Sequence, residues 1–366
     1  MKKIALHGMV SSRNFGDILM VDIVSKYLAQ KAYDISIPMA CNAVLNDLSI
    51  KQNNRGFWSF NSCDNLVYTG GGYFGPMANR NFSKDLKMIL KFASPSEFFI
   101  PKSGHHIIGV GVNGLDKYQI TKSYMKRLFN SAGTLAVRDE ESLFELEKIG
   151  VRHSGIEVLA DIALNIQLES IPANSLEYAK GEISDLRCRY EKVIALHLSG
   201  VPDEKYYDNI YAGILKYAEK NKDVGFVLIE DHPSPTNSSP QILAAQYLKN
   251  ILLERAKIIP YTFHWNLVAV LSQIDGIVTN KLHVAIVSSA LNKIAIAFTK
   301  HEKNHRFFAQ IEASERCSNL QEQNPNSVYT LMENEFHYIN RGEIIPVRVR
   351  DLARRNLELV QQNLIK

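Results

Sequence analysis

Lys3-Ile4-Ala5-Leu6-His7-Gly8, the polar run Ser11-Ser12-Arg13-Asn14-Phe15-Gly16-Asp17, and the apolar positions Ile18, Leu19, Val21, Ile23, Val24, Tyr27 and Leu28 together decide the reading of this chain. A short apolar run that stops at glycine predicts a strand. A polar loop follows, and apolar residues recurring at three- and four-residue spacing predict a helix with a broad buried face. The same unit then repeats. Strands are predicted at 34–38, at 65–69 running into Gly70-Gly71-Gly72, at 106–110 before Gly111 and Gly114, and at 134–137. After the last of these, Asp139, Glu140 and Glu141 suit a helix N-terminus, and Gly150 ends that helix. Strands alternating with helices predict a mostly parallel sheet covered on both faces.

Between residues 169 and 190 the apolar periods give way to Pro172, Asn174, Gly181 and scattered charges, which places a boundary there. The alternation then restarts. Strands are predicted at 192–198, 225–229, 257–259, 276–279 and 294–298, with helices between them. Near the end Val349, Ala353, Asn356, Val360 and Leu364 recur at helical spacing. The fold expected is α/β: two Rossmann-like doubly wound domains, residues 1–175 and 190–345, facing a cleft, with an amphipathic basic helix at 346–366 packing back. Arg348, Arg350, Arg354 and Arg355 on that helix admit two readings, a solvated face or contact with anionic lipid headgroups.

Length and composition agree with two globular domains. The chain has 366 residues, 46% hydrophobic and 22% charged, which excludes wholesale disorder. Against 38 acidic residues stand 42 basic ones, a net charge of +4, too mild a balance to imply nucleic acid. Cys41, Cys63, Cys188 and Cys317 form no C-x-x-C pair and are expected as reduced thiols. No apolar run reaches the ~18 residues of a membrane span. His7, Arg13 and Asp17 interrupt the N-terminal apolar region before it resembles a signal peptide, so the expected location is cytoplasmic.

In doubly wound sheets, ligands bind beyond the carboxyl ends of the strands. Five segments sit there. In Asn14-Phe15-Gly16-Asp17, Gly16 allows close backbone approach, and Asp17 is either a base or sugar ligand or simply a helix cap. Gly70-Gly71-Gly72 is not a P-loop and lacks a G-x-G-x-x-G register; it suits a backbone passing close to a ligand or to another loop. Asn280-Lys281-Leu282-His283 puts a cation and an imidazole at a helix start, a combination suited to phosphate or carboxylate. The run from Lys300-His301 through Lys303 to Arg306 is dense in cations, either a solvated loop or an anion clamp, and Glu230-Asp231-His232 is polar at another strand end. No histidine spacing signals a metal.

In this order, these segments resemble the polysaccharide pyruvyl transferase family. The matching pieces are Asn14-Phe15-Gly16-Asp17, Gly70-Gly71-Gly72, Val137-Arg138-Asp139-Glu140-Glu141-Ser142, Ala160-Asp161-Ile162-Ala163-Leu164, Ile274-Asp275-Gly276 and Lys281-Leu282-His283, with Lys303 and Arg306-Phe307 beyond, over residues 4–312. The resemblance implies a fold like the two-domain B-type glycosyltransferases. It also implies transfer of a pyruvyl group from phosphoenolpyruvate to two hydroxyls of a sugar, in a cell-surface polysaccharide or its lipid-linked precursor, to form a cyclic ketal. No cofactor is expected beyond the donor. Peripheral contact with the inner membrane surface is compatible with a lipid-linked acceptor. The residues so assigned are His283 and Asp17 for proton transfer and Arg138, Lys281, Lys303 and Arg306 for the donor. Asn14, Gly16, Gly70, Gly71 and Gly72 are assigned to the acceptor or to close backbone approach. Lys281 stands where the family usually carries Arg, keeping the charge but losing bidentate geometry. Two alternatives stay open: a B-type glycosyltransferase using a nucleotide sugar, and a non-catalytic glycan-binding member.

Overall fold

The computed structural model describes residues 2–11, 13–49, 56–75, 86, 89–90, 104–115, 119–200, 205–233, 239–337 and 342–364. The chain divides into two compact units, one of residues 1–165 with 347–366, the other of residues 166–346. The division falls before the stretch at 169–190. That stretch is mostly helix, Ala173–Arg189, whose buried side is Ser175, Ala179, Ile183 and Leu186. Two of those four are small, which leaves a faint apolar signal.

The first unit is built on strands β1 (Lys3–His7), β2 (Asp34–Ser36), β3 (Asn65–Tyr68), β4 (Gly71–Phe74), β5 (His105–Val112), β6 (Thr134–Val137) and β7 (Ile156–Val158). Their order is β2-β1-β3-β5-β6-β7, with β4 also on β5. Every pairing is parallel. Parallel strands covered on both faces are largely apolar, and all eight residues of β5 are buried, the apolar run 107–112 following His105 and His106.

Gly71 and Gly72 are strand residues. β3 pairs with the start of β5 and β4 with its end, Gly71 opposite Val110 and Phe74 opposite Val112, so the chain resumes the same path after a break at Thr69-Gly70. The break needs glycine. A Cβ on Gly70 would lie 2.8 Å from Met20 Sδ and 3.2 Å from the Gly109 carbonyl, and Gly71 has φ +132°.

The first helix spans Phe15–Gln30, so Phe15, Gly16 and Asp17 form its first turn rather than a loop. Asn14 is the cap, its Oδ1 accepting from the Asp17 N–H at 3.5 Å. The helix Val347–Leu364 returns to the first unit, where Leu359 packs against Ala136 and Leu159 and the Asn356 amide donates to the Ala160 carbonyl at 2.8 Å. Of its arginines, Arg355 pairs with Glu157 and Arg354 with Asp351, each at 3.2 Å.

The second unit carries β8 (Lys192–His197), β9 (Val224–Ile229), β10 (Ala256–Ile259), β11 (Gly276–Thr279), β12 (Ile294–Thr299) and β13 (Cys317–Asn319). The order is β10-β9-β8-β11-β12-β13, again parallel throughout. This is the Rossmann order, which reverses between β8 and β11 and opens a crevice beyond the ends of those two strands. Its core gathers Ile194, Phe226, Val278, Ile296 and Phe298 from the sheet with Ile210, Tyr211, Leu248 and Phe336 from the helices. All four cysteines are free thiols.

Candidate functional site

Thr279 ends β11 and Thr299 ends the adjacent β12. Each uses its hydroxyl in the same way. Thr279 Oγ1 accepts from the Lys281 N–H at 3.0 Å, and Thr299 Oγ1 from the His301 N–H at 3.1 Å. Each turn delivers the chain into a helix, Leu282–Ala290 and Glu302–Gln310, whose caps are Lys281 and His301 and carry no side-chain cap bond. Two helix starts therefore stand on neighbouring strands, the kind of end that suits an anion.

A pocket of about 160 Å³ lies among these turns, with Lys281, Lys300, His301 and Lys303 on its wall. Asn280, Ser199 and Tyr207 form another part of the wall. The Asn280 amide donates to Tyr207 Oη at 2.9 Å and to Ser199 Oγ at 3.0 Å. The Tyr207 ring passes so close over Gly200 that a Cβ there would overlap it. Gly200→Ala must therefore displace the ring from Asn280, and is expected to destabilise the second unit by about 1–3 kcal/mol. Urea unfolding followed by fluorescence reads this, because Trp265 is buried in the second unit whereas Trp58 is exposed.

Burial and the neighbouring Lys303, Lys300 and Lys281 hold the His301 imidazole below its ordinary range. An arriving anion offsets the charge of the lysines and raises it again. Binding of sulfate, which does not itself titrate near neutral pH, is then expected to take up protons, with affinity rising as pH falls. Calorimetry in two buffers of different ionisation enthalpy checks this, and His301→Asn should abolish the uptake.

Beside the pocket, Asp231 follows β9 and is 4% exposed. Burial works against its ionisation, but His197, His232 and Lys281 outweigh that and hold the carboxyl well below the usual range. Lys281 Nζ lies 4.0 Å from Asp231 Oδ2.

The first unit assembles a separate cluster at the first turn of the helix Phe15–Gln30, the start of β4 and the end of β6. Arg138 follows β6, is 8% exposed, and lies 3.4 Å from Asp161 Oδ2 and 3.5 Å from Asp139 Oδ2. Its guanidinium covers Gly111, where a Cβ would meet it at 2.6 Å. A Cβ on Gly71 would lie 3.3 Å from Asp17 Oδ1, and one on Gly72 would lie 3.6 Å from Arg138 Nη2. The glycine strand thus runs between the aspartate and the arginine.

Of the residues assigned from sequence, Lys281 and Lys303 share the second unit's pocket. His283, at the second position of its helix, and Arg306 are half-buried and are not among the residues lining that pocket. Asp17, Gly71, Gly72 and Arg138 come together in the first unit, with Asn14 as the adjoining helix cap. Sequence reasoning missed Ser199, Tyr207 and His197, which no spacing ties to the Lys281 segment. The shared pattern Thr279-Asn280-Lys281 and Thr299-Lys300-His301 could have identified the paired helix starts. Among the described residues, no group of three or more His, Cys, Asp or Glu side chains is placed to hold a metal ion, and no helix is long and apolar enough to cross a membrane.

A profile for polysaccharide pyruvyl transferase matches residues 14–301. No curated protein matches the chain. Solved structures that resemble it include UDP-GlcNAc 2-epimerase of Methanocaldococcus jannaschii, at 13% identity and TM-score 0.66 over 99% of this chain and 100% of that one. The Neisseria meningitidis UDP-GlcNAc 2-epimerase bound to UDP-GlcNAc is similar at 13% identity and TM-score 0.62, over 99% and 100%. The MnaA–UDP co-structure from S. aureus is similar at 13% identity and TM-score 0.60, over 100% and 97%. At such identities the likeness establishes the fold: two parallel-sheet α/β domains of the B-type glycosyltransferase kind, with a C-terminal helix.

Proposed function

The chain belongs to the polysaccharide pyruvyl transferase family, and on that premise we propose that it moves a pyruvyl group from phosphoenolpyruvate onto two hydroxyls of a sugar. The sugar belongs to a cell-surface polysaccharide or its lipid-linked precursor, and the product is a cyclic ketal. The observation that carries this reading is the pair of helix starts at Lys281 and His301 around one cationic pocket. Phosphoenolpyruvate is a small molecule with two anionic groups, a phosphate and a carboxylate. Two neighbouring amide termini with Lys281, Lys300 and Lys303 around them answer that charge pattern.

The proposed reaction needs three events at the donor. A proton adds to the methylene carbon, and His283, an imidazole in the first turn of the helix that Lys281 caps, is the proposed source. A sugar hydroxyl adds to the adjacent carbon, giving up its proton to Asp17 as the proposed base. The carbon–oxygen bond to phosphate breaks, inorganic phosphate departs, and the second hydroxyl closes the ring as its proton passes to the phosphate. Arg306 and Arg138 are proposed as further cations for the donor, and Asn14, Gly16 and Gly70 to Gly72 as contacts of the acceptor. No cofactor is called for by this chemistry.

One observation favours a second reading. Paired helix starts would also suit a diphosphate, and the similar structures include epimerases described with UDP or UDP-GlcNAc. Thermal stabilisation separates the two. Phosphoenolpyruvate should raise the melting temperature at concentrations where UDP, GDP and CMP do not; the reverse ranking would favour a nucleotide-sugar transferase.

A further inference from the structure

Lys281 sits in a ring of polar contacts that the reaction does not by itself demand. Its backbone N–H donates to Thr279 Oγ1 at 3.0 Å. Thr279 Oγ1 is also 3.0 Å from His197 Nδ1. With the hydroxyl proton given to Nδ1, His197 carries its own proton on Nε2, which faces Asp231 Oδ1 at 3.6 Å. Asp231 Oδ2 then reaches back to Lys281 Nζ at 4.0 Å. Thr279 and His197 are fully buried and Asp231 nearly so. The four residues come from the ends of β8, β9 and β11, neighbours in the sheet, of which β8 and β11 flank the crevice where the order reverses.

The surroundings hold Asp231 in place. Gln241, 2% exposed, accepts from the Asp231 N–H at 3.3 Å and donates to Oδ1. His232 Nδ1 lies 2.9 Å from the same oxygen, and Glu230, just past the end of β9, precedes Asp231. Asp231 is not on the pocket wall, whereas Lys281 is.

We propose that Asp231 is a positioning residue of the anion pocket, closing with His197 and Thr279 a ring that fixes the Lys281 ammonium at the pocket wall. A lysine is a point charge on a flexible stem, and it needs such a partner more than an arginine fork does. Aligning the ammonium has a cost in affinity. A carboxylate this close to a cationic pocket repels the incoming anion, so its removal should tighten ground-state binding while loosening the lysine.

The test uses the full chain and Asp231→Asn, which keeps the shape and removes the charge. Inorganic phosphate, the binding probe, is expected to bind about two- to fivefold tighter. Turnover with phosphoenolpyruvate and acceptor is expected to fall at least about tenfold in kcat, as for a displaced electrostatic group. The fall in kcat should vanish when Asp231→Asn is made on a Lys281→Met background, whereas the tighter phosphate binding, which comes from removing the carboxylate's own repulsion, should persist there. Weaker phosphate binding, or an equal fall in kcat on both backgrounds, would overturn the proposal and leave Asp231 a structural residue. The kcat arm rests on the proposed function, whereas the phosphate arm does not. A wild-type protein inert toward phosphoenolpyruvate would count against the function alone. If Asp231→Asn does not fold, Thr279→Val opens the ring at another point. It should then lower kcat at least about tenfold on the wild-type background and leave Lys281→Met unchanged, an equal effect on both overturning the proposal.

Discussion

Replacing Lys281 with alanine is expected to lower kcat/KM for phosphoenolpyruvate by about 10²–10³-fold, the usual cost of removing one preorganised electrostatic group from a transition state. The fold should survive. The carboxyl of Asp231 keeps its contacts with His232 and Gln241, so no charge is stranded in the interior. Lys281→Arg should recover most of the loss, since it restores the cation and offers two donors to a planar anion. Lys281→Gln, which is polar and uncharged, should not. Steady-state kinetics with circular dichroism as the control for folding decides this. Full activity in Lys281→Ala would remove the residue from donor binding.

The second large effect concerns stability. His106 lies buried at the start of β5, and burial, helped by the neighbouring His105, lowers its pKa to about 4. Its neutral ring is well served: Nδ1 is 3.0 Å from Thr134 Oγ1 and Nε2 is 3.4 Å from Asn65 Oδ1. An unfolded chain protonates this histidine below about pH 6.5, while the folded chain resists until about pH 4. The stabilisation is therefore complete above pH 6.5 and is lost as pH falls through that window. It amounts to about 3 kcal/mol at the acid end. His105, shifted in the same direction by its own burial, adds to the loss. Asp231 does not, because a carboxyl held below its usual range of 3.8 gives up its stabilisation only in stronger acid. Urea unfolding of the wild type and of His106→Gln at pH 7 and pH 4.5 should show a gap between the two proteins that shrinks on acidification. A gap independent of pH would mean that His106 titrates normally in the folded chain.

The alternation of strands and helices was legible because parallel strands buried on both faces carry runs of apolar residues, as 193–196 and 277–278 do. Strand ends were legible because the apolar runs stop at glycine, threonine or charge. Short edge strands such as Ile156–Val158 and Cys317–Asn319 were not, since three residues carry no period. Nor was the strand nature of Gly71 and Gly72, because glycine has no strand preference and the pairing partner, β5, lies more than thirty residues away. The helix Ala173–Arg189 hid behind a central Gly181 and small buried residues.

The site divided in the same way. Local chemistry was visible: a lysine and a histidine at one helix start, a cation-rich run at the next. The contacts that arrange it were not. His197, Asp231, Thr279 and Lys281 meet only because three strands end side by side, and no spacing between residues 197, 231 and 279 announces it. Tyr207 and Gly200 belong to the same category. Their fit is a matter of one ring lying over a position with no side chain.

The central claim, that this chain transfers a pyruvyl group from phosphoenolpyruvate to a sugar, is tested most directly by mass. The purified protein is incubated with phosphoenolpyruvate and a panel of free, nitrophenyl-linked and lipid-linked sugars, and each acceptor is weighed while inorganic phosphate is assayed. The account predicts that one class of acceptor gains the mass of pyruvate less one water, with one phosphate released per acceptor converted, and that His283→Ala suppresses both. An acceptor that instead gains a sugar from a nucleotide sugar, with phosphoenolpyruvate left intact, would contradict it.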